Sequence, residues 1–329
     1  MSGIGILGLG HALPARVETN AELCALLPDT TPEWIVEKTG ITQRLLAGPD
    51  DTASGFATDA ARDALAQAGL AAEDIGLIVA CTFSGDYTFP PVSAKVAGAL
   101  GAARAQTFDL QANCAGFVTG LTVAADRLAA DAEVGHALVI GVELHTRFID
   151  RTDVDTAVYF SDGAGAAVLG PVADGAGLLA SAFHTDASNW EAVRFRAGGS
   201  SYPFSDPACA NGAGHIEQNG LATWRQAITH LPPTVRRACA KAGVEIADVD
   251  RFVFHQANLN MLQYLVRKLR APVDRTYTNV ERIGNTGAAS VAIALSEARE
   301  EAAIGAGDLV VLGAVGAGFT FASSVWRWA

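Results

Sequence analysis

The sequence contains one long internal repeat. The segment AQAGLAAEDIGLIVACTF, which begins at Ala66, aligns with AKAGVEIADVDRFVFHQA, which begins at Ala240, at an offset of 174 residues. In both segments a helical pattern ends at an Ala-Gly pair and is followed by a turn and a short apolar strand pattern. Solenoid repeats are about 20 to 50 residues long. The longer offset therefore predicts two similar halves of one globular protein.

The correspondence between the halves continues at an offset of 172 residues. Cys114 aligns with Thr286, and ALVIG at 137–141 aligns with LVVLG at 309–313. Both halves share the order strand, helix, strand, helix, strand. This order is typical of a parallel or mixed sheet with helices on its faces, because each crossover between parallel strands must run over a face of the sheet. We therefore predict a duplicated α/β fold with the functional site between the halves.

The length and apolar content of the chain are sufficient for two large halves. The chain has 329 residues, of which 50% are hydrophobic, so a sizeable core is available. We predict a first half at 1–172 with a candidate nucleophile and a second half at 173–329 with a candidate histidine and asparagine. Residues 183–223 are rich in Gly, Ser, Asn and Pro, which predicts a long excursion near the site.

The composition argues against several partners and locations. A net charge of -12 argues against a general nucleic-acid binder, because neutralising phosphates needs a basic surface. The uncharged run at 309–326 opens with β-branched residues and is interrupted by glycines, which predicts two buried strands and no membrane span. The five cysteines form no CxxC pair, and the start of the sequence does not resemble a signal peptide. These features predict a cytoplasmic protein.

Cys114 is the candidate nucleophile. In TFDLQANCAGFVTGLTVAADRLAA a strand pattern passes directly into a helical pattern, and Cys114 stands at the change, followed by two small residues. A sulfur at a helix N-terminus is stabilised as an anion, which typically lowers a cysteine pKa from about 8.5 toward roughly 3.5 to 7.5. The alternative is a structural cysteine that packs the helix against the strand.

His255 and Asn285 are the candidate partners of this cysteine. His255 ends an apolar strand pattern and precedes a polar cluster, at a sheet edge where binding loops gather. Asn285 stands at a loop-to-helix junction in GNTGAAS, and the pseudo-symmetry of the repeat turns it toward Cys114. The alternatives are a surface or capping histidine and an ordinary helix N-cap.

Five ordered motifs extend this interpretation to a family. The sequence contains WIVEKTGI, CAGF, HQANL, GNTGAAS and GAGFTF in that order. Over the whole chain it resembles the β-ketoacyl-acyl carrier protein synthase III family of the thiolase superfamily. The resemblance implies an α/β fold of the thiolase-like, duplicated αβαβα layered type with mixed five-stranded sheets. It also implies a homodimer, a ping-pong cycle, and no metal or redox cofactor.

The resemblance assigns roles to the candidate residues. Cys114 would take an acyl group from a thioester of coenzyme A or of a carrier protein, and a malonyl thioester would then accept it by decarboxylative Claisen condensation. His255 and Asn285 would donate hydrogen bonds to the enolate oxygen. The oxyanion hole would consist of the backbone N–H groups of Cys114 and Ala317, and Ala317 stands where glycine is usual.

The resemblance also implies binding surfaces, although the sequence departs from the family at several of them. The implied substrate-binding residues are Trp34, Lys38, Arg151, Phe89 and Asn258. Phe89 would reach the acyl pocket of a neighbouring subunit. Basic residues for docking an acyl carrier protein would be Arg225, Arg267 and Lys268. The departures are Lys38 and Val154 where arginines are usual, Gln111 and Asn113 where small apolar residues are usual, and Val315 in place of a phenylalanine.

Three other functions remain open from the sequence. An enzyme with the same acyl-cysteine could pass the acyl group to an alcohol or amine, with His255 as a general base. A set of Cys, His and Asn also occurs in papain-like proteases, although the duplicated sheet argues against this class. A non-catalytic scaffold of the same fold would be expected to lose the cysteine or histidine, and both are present.

Overall fold

The structure is a computed structural model that describes residues 3–210 and 213–329. The strands are β1 (Gly3–Ala12), β2 (Arg16–Thr19), β3 (Gln43–Leu46), β4 (Ile75–Cys81), β5 (Gln106–Leu110), β6 (His136–Leu144), β7 (Asp162–Val172), β8 (Gly177–Thr185), β9 (Val193–Phe195), β10 (Ile216–Gln218), β11 (Arg251–Phe254), β12 (Thr276–Tyr277), β13 (Leu309–Gly316) and β14 (Thr320–Arg327). The α-helices are α1 (Asn20–Cys24), α2 (Pro32–Thr39), α3 (Ala53–Ala68), α4 (Val92–Leu100), α5 (Gly116–Ala130), α6 (Val154–Ala157), α7 (Gly220–Ala242), α8 (Leu259–Leu269), α9 (Val280–Ile283) and α10 (Ser290–Glu300).

Two five-stranded sheets have the same topology. The first has the order β1-β7-β6-β4-β5, and the second has the order β8-β14-β13-β11-β12. In each sheet the first two pairings are antiparallel and the last two are parallel. Both sheets are therefore mixed, and the duplication predicted from the internal repeat is confirmed. β7 ends at Val172 and β8 begins at Gly177; the division into two domains at this point stays a prediction.

The repeated Ala-Gly pairs mark equivalent helix ends. α3 ends at Gly69 and α7 ends at Gly243, with φ values of 66° and 67°. Glycine tolerates this left-handed conformation, which lets its N–H bond back to the last turn of the helix. A 3-10 turn follows each glycine, and the strands β4 and β11 come next. The same local signal thus starts the same supersecondary unit in both halves.

The helices and sheets form five layers. α5 and α10 lie in the middle, where their apolar side chains share one core cluster with strands of both sheets. The helices α3 and α4 cover the outer face of the first sheet, and α7 and α8 cover that of the second. This is the αβαβα arrangement predicted above. It places the N-terminal ends of α5 and α10 beside each other, between the two sheets.

The strand pair and the excursion predicted from the sequence are also present. β13 and β14 form an antiparallel pair from Leu309 opposite Arg327 to Gly316 opposite Thr320. The described residues between β8 and α7 form the antiparallel β9–β10 pair and 3-10 turns, and several of them line a large cavity. Among the described residues, no helix combines the length and the apolar character that crossing a membrane requires.

Two glycines of the first sheet allow α10 to approach it closely. A Cβ atom added at Gly165 would lie 2.6 Å from Ala292 Cβ and 2.8 Å from the Ile293 backbone nitrogen. A Cβ atom at Gly141 would lie 2.4 Å from the Ala288 carbonyl oxygen. These distances are too short for any side chain, so the position of α10, and of the turn before it, depends on glycine at both sites.

We expect Gly165→Ala to lower the free energy of unfolding by about 1–3 kcal/mol, because the added methyl group would push α10 away from the sheet. Gly98 in α4 provides the matched control, since an added Cβ there meets nothing within 4 Å. Gly98→Ala should stabilise the protein by about 0.5–1 kcal/mol through helix propensity. Urea denaturation of both variants would measure these changes. Equal stability of Gly165→Ala and the native chain would contradict the packing argument.

Candidate functional site

One large cavity between the halves contains the predicted reactive residues. Its volume is about 1160 Å³, and Cys114, His255, Asn285 and Ala317 all line it. The first comes from the first half of the chain and the other three come from the second. The three side chains that the sequence singled out thus open into a common space, as the two-half interpretation requires.

The chain around Cys114 forms a tight turn. Residues Asn113–Ala115 form a 3-10 turn that leads directly into α5, and Asn113 has a φ of 49°. The end of β13 packs against this turn, because a Cβ atom at Gly316 would lie 2.2 Å from the Ala112 carbonyl oxygen and 3.2 Å from the Cys114 nitrogen. Glycine at 316 therefore allows the backbone at Ala317 to lie beside that of Cys114.

The expected low pKa of Cys114 is not found. Burial raises the pKa of its thiol to about 12, the nearby Glu143 carboxylate acts in the same direction, and the Cys114 backbone N–H acts against them. The helix-terminus argument was wrong in direction, because the loss of solvation inside the cavity outweighs the partial charge of a helix end. The shift favours the neutral thiol at neutral pH.

His255 is buried, neutral and held by a hydroxyl group. It follows β11 directly, and its backbone N–H donates to the Gly313 carbonyl oxygen at 2.8 Å. Burial lowers the pKa of the imidazole to about 4. Its Nδ1 atom lies 2.6 Å from the hydroxyl of Ser290, the first residue of α10, and that hydroxyl also accepts the N–H of Gln256 at 3.3 Å. If the Ser290 hydroxyl hydrogen points to Nδ1, then Nε2 carries the ring proton.

Asn285 is held on both sides by backbone hydrogen bonds to the first half. Its N–H donates to the Tyr159 carbonyl oxygen, and its carbonyl oxygen accepts the N–H of Ser161, each at 2.9 Å. The side-chain oxygen Oδ1 accepts the N–H of Gly287 at 2.9 Å. The alternative interpretation, in which Asn285 is the N-cap of the helix that follows, is wrong, because the N-cap of α10 is Ala289. Its Nδ2 group remains available as a donor to the cavity.

Two buried ionisable residues of the cavity were missed by the sequence analysis. Burial raises the pKa of Glu143 to about 8, although Ser84, Thr82 and backbone N–H groups donate to its carboxylate. Burial lowers the pKa of His145 to about 3. An added Cβ at Gly287 would lie 2.3 Å from His145 Cε1 and 3.0 Å from Glu143 Cγ. The only sequence feature that could have indicated these two residues is that both are polar and stand at the end of the apolar pattern of β6.

Aromatic rings form much of the remaining cavity wall. The Phe83 ring lies edge-on to the Phe148 ring, with 5.5 Å between the ring centroids. The Phe148 ring lies edge-on to the Phe195 ring, with 5.3 Å between the centroids. The His145 ring stacks on the Phe160 ring, with 4.7 Å between the ring centroids. All five rings line the cavity. The chamber beside the reactive residues is therefore mostly apolar, as expected for a site that holds a hydrocarbon group.

Comparisons with known proteins agree with this architecture. Residues 108–187 match the family model "3-Oxoacyl-[acyl-carrier-protein (ACP)] synthase III", and residues 239–328 match the model of its C-terminal part. The chain is 39% identical to the β-ketoacyl-[acyl-carrier-protein] synthase III of Symbiobacterium thermophilum, over 99% of this chain and 98% of the relative. It is 42% identical to the same enzyme of Bordetella petrii, over 98% and 97%. The chain belongs to the β-ketoacyl-[acyl-carrier-protein] synthase III family.

Solved structures of synthase III proteins have the same fold. The 3-oxoacyl-[acyl-carrier-protein] synthase III of Aquifex aeolicus VF5 superposes with a TM-score of 0.91 and 33% identity, covering 99% of this chain and 100% of that one. The priming β-ketosynthase of the R1128 polyketide biosynthetic pathway superposes with a TM-score of 0.92 and 33% identity, covering 99% and 96%. The similarity thus extends over both halves of the duplicated fold.

Two of the five substrate-binding residues implied by the family resemblance line the cavity, and the other three do not. Phe89 and Asn258 line the cavity, whereas Trp34, Lys38 and Arg151 lie outside its lining. Arg151 forms an ion pair with the buried carboxylate of Glu18. That contact competes with a role for Arg151 as a free partner of a substrate phosphate.

The side chain of Asn258 already has partners within the protein. Its Oδ1 accepts the N–H of Met261 and caps α8, and its Nδ2 donates to the Lys38 carbonyl oxygen at 3.2 Å. Asn258 therefore connects α2 to α8 at the wall of the cavity. A direct contact between its amide and substrate stays a prediction.

The predicted carrier-docking residues lie on two packed helices. Arg225 is exposed on α7, and its neighbour Trp224 lines the cavity. Arg267 and Lys268 are exposed on α8, and Lys268 Nζ donates to the Ile228 carbonyl oxygen of α7 at 2.8 Å. The three cations are thus on the helices whose N-terminal parts border the cavity.

The raised pKa of Cys114 predicts an unusual pH dependence of alkylation. Below its pKa the thiolate fraction rises tenfold per pH unit, so the rate of iodoacetamide modification should keep rising from pH 7 to pH 10 without a plateau. Mass spectrometry of the Cys114 peptide would measure the rate, with Cys114→Ala identifying the labelled site among the five cysteines. A plateau below pH 8 would mean a low pKa and would contradict the effect of burial.

Proposed function

We propose that the protein is a condensing acyltransferase that carries an acyl group on Cys114 and joins it to a malonyl thioester by decarboxylative Claisen condensation. The observation that carries this proposal is the common cavity into which Cys114, His255 and Asn285 all open. Membership of the synthase III family supports the reaction type.

In the first half-reaction the Cys114 sulfur attacks the carbonyl carbon of an acyl thioester. A bond forms from sulfur to the acyl carbon, the donor's carbon–sulfur bond breaks, and the thiol proton passes to the leaving thiolate. The oxygen of the tetrahedral intermediate carries the developing negative charge. The backbone N–H groups of Cys114 and Ala317, brought close by Gly316, are the proposed donors to that oxygen.

In the second half-reaction a malonyl thioester loses carbon dioxide and becomes an enolate. The enolate carbon attacks the acyl carbon on Cys114, the carbon–sulfur bond to the enzyme breaks, and the Cys114 sulfur regains a proton. The products are a 3-oxoacyl thioester and carbon dioxide. The step that needs stabilisation is the appearance of charge on the enolate oxygen, for which buried neutral donors are well suited.

His255 and Asn285 supply such donors. Burial keeps the imidazole neutral above about pH 5, and the contact between Ser290 and Nδ1 favours the tautomer with the proton on Nε2. The bond from Gly287 N–H occupies Oδ1 of Asn285 and leaves Nδ2 to donate. Loss of one such donor typically costs about 3 kcal/mol of transition-state stabilisation.

The proposal extends to partners and location. An acidic acyl carrier protein would dock on Arg225, Arg267 and Lys268, because exposed cations on the two helices that border the cavity would steer and orient an anionic partner. Coenzyme A thioesters are proposed as acyl donors, and no metal or redox cofactor is required by the steps above. A cytoplasmic location agrees with five free thiols.

A homodimer is proposed from the exposed apolar residues at the cavity. Phe89 is 84% exposed and Phe204 is 72% exposed, and both line the cavity of the single chain. Exposure of large aromatic side chains to this extent favours burial by a partner surface. A second copy of the chain would cover them, and Phe89 would then reach the partner's acyl pocket.

Transfer of the acyl group to an alcohol or amine is the alternative function. That reaction needs a base that removes a proton from the acceptor. A His255 imidazole with its proton on Nε2 and its Nδ1 held by Ser290 has no free nitrogen lone pair toward the cavity. With the Ser290 hydroxyl donating to Nδ1, the site therefore favours carbon–carbon bond formation.

Incubation with donor panels tests the proposed function. Intact-mass analysis with acyl-coenzyme A and acyl-carrier-protein donors should show one added acyl group on the native chain and none on Cys114→Ala. The acylated native chain should then release carbon dioxide from a malonyl thioester and yield the 3-oxoacyl product. An acylated protein that releases no carbon dioxide but esterifies an alcohol or acylates an amine would overturn the condensation in favour of the alternative.

Ser290→Ala tests the role of the hydroxyl contact to His255. Without the hydroxyl, Nδ1 loses its partner and the ring is free to change tautomer, so we expect condensation to slow about tenfold, in line with one hydrogen bond of about 1.4 kcal/mol. Acylation of Cys114 should change by less than about threefold. Ser290→Thr retains the hydroxyl and serves as the control. Equal losses in both half-reactions would show that Ser290 acts on overall structure.

A further inference from the structure

We propose that Asn113 is a positioning residue for acyl transfer, and that its side chain holds the oxyanion-hole loop in register with the nucleophile. The inference rests on the proposed function, because it concerns the same acyl-cysteine chemistry. The Asn113 Nδ2 group donates to the Ala317 carbonyl oxygen at 3.0 Å, across 204 residues of sequence. This bond joins the turn that carries the nucleophile to the loop that carries the second oxyanion donor.

The loop at 317–319 is attached firmly at its other end. Phe319 is buried, and its N–H and carbonyl oxygen form a reciprocal pair of backbone bonds with Asp186, at 2.9 and 3.0 Å. The Asp186 carboxylate in turn accepts a bond from Gln226 of α7 at 3.1 Å. Between the two attachments lies Gly318, with a φ of 129°. Glycine has many accessible conformations, so attachment at Phe319 alone does not fix the orientation of Ala317.

β13 holds the loop up to Gly316, its last residue, and the bond from Asn113 adds a restraint on the Ala317 carbonyl. Two consecutive peptide units meet at the Ala317 Cα atom, one with the N–H proposed to bind the oxyanion and the other with the carbonyl that Asn113 holds. Fixing the carbonyl therefore limits rotation of the unit that carries the N–H. A displacement of about 1 Å in a catalytic arrangement can cost about a hundredfold in rate. A side chain that keeps the Ala317 N–H aligned can therefore have a large effect on the rate of acylation.

Asparagine suits this position for two separate reasons. Its φ of 49° lies in the left-handed region, where asparagine and aspartate occur more readily than other residues with side chains. Its amide also donates a hydrogen bond, which neither glycine nor aspartate can do from the side chain. Glycine therefore keeps the backbone conformation and removes only the bond, whereas aspartate keeps the conformation, removes the bond and adds a negative charge. These two substitutions separate the role of the side chain from that of the turn.

The test compares two reactions of the same sulfur. Acylation by a thioester passes through an oxyanion, whereas alkylation by iodoacetamide is a direct displacement that forms none. We expect Asn113→Gly to slow acylation of Cys114 by about 10- to 100-fold, with the KM for the donor and the alkylation rate both within about twofold of native. Asn113→Asp should show a similar loss of acylation. The donor used is the one from the panel that acylates the native chain fastest.

A matched control accounts for added charge. Gln111→Glu makes the same exchange of amide for carboxylate two residues away in the wall of the same cavity. Its loss of acylation measures the effect of added charge, and Asn113→Asp should lose more by the part that the missing bond accounts for. Unchanged acylation in Asn113→Gly would overturn the inference. Alkylation that falls in parallel with acylation would also overturn it, by showing that the turn itself is disturbed. Failure of the native chain to become acylated would instead reject the proposed function.

Discussion

The contact between the two central helices and the sheets around them is the constraint on which the site depends. α5 and α10 lie between the sheets, and the turns before them meet because small residues permit it. Gly141 and Gly165 allow α10 to lie directly on the first sheet, and Gly316 allows β13 to reach the Cys114 turn. Any side chain at these positions would separate the two halves. The cavity lies next to these close contacts, at the turns that precede α5 and α10.

This packing also determines the electrostatic character of the site. Burial raises the pKa values of Cys114 and Glu143 and lowers those of His145 and His255. All four shifts favour the neutral forms, because groups buried at the cavity wall are poorly solvated when charged. The site is therefore suited to stabilise charge only where it develops during the reaction. In the proposed mechanism, fixed hydrogen-bond donors on Asn285, His255 and the backbone fulfil that requirement without prior ionisation.

The residues with the clearest local context were predictable from the sequence. Cys114 stands where a strand pattern changes to a helical one, and His255 ends a strand that the repeat aligns with β4. The structure places both at the same cavity. The pKa of Cys114 was not predictable, since it depends on how completely distant segments cover the sulfur. Residues assigned by resemblance alone were less consistently placed, and Arg151 pairs with Glu18 outside the cavity lining.

The sequence by itself determined the duplication, the order of elements in each half and the three principal side chains, because local periodicity and a direct repeat encode them. Only the tertiary structure decided which atoms meet. The bonds from Ser290 to His255 and from Asn113 to Ala317 join residues 35 and 204 positions apart. No local pattern records such contacts, because they arise from the packing of two halves whose relative placement depends on the whole core.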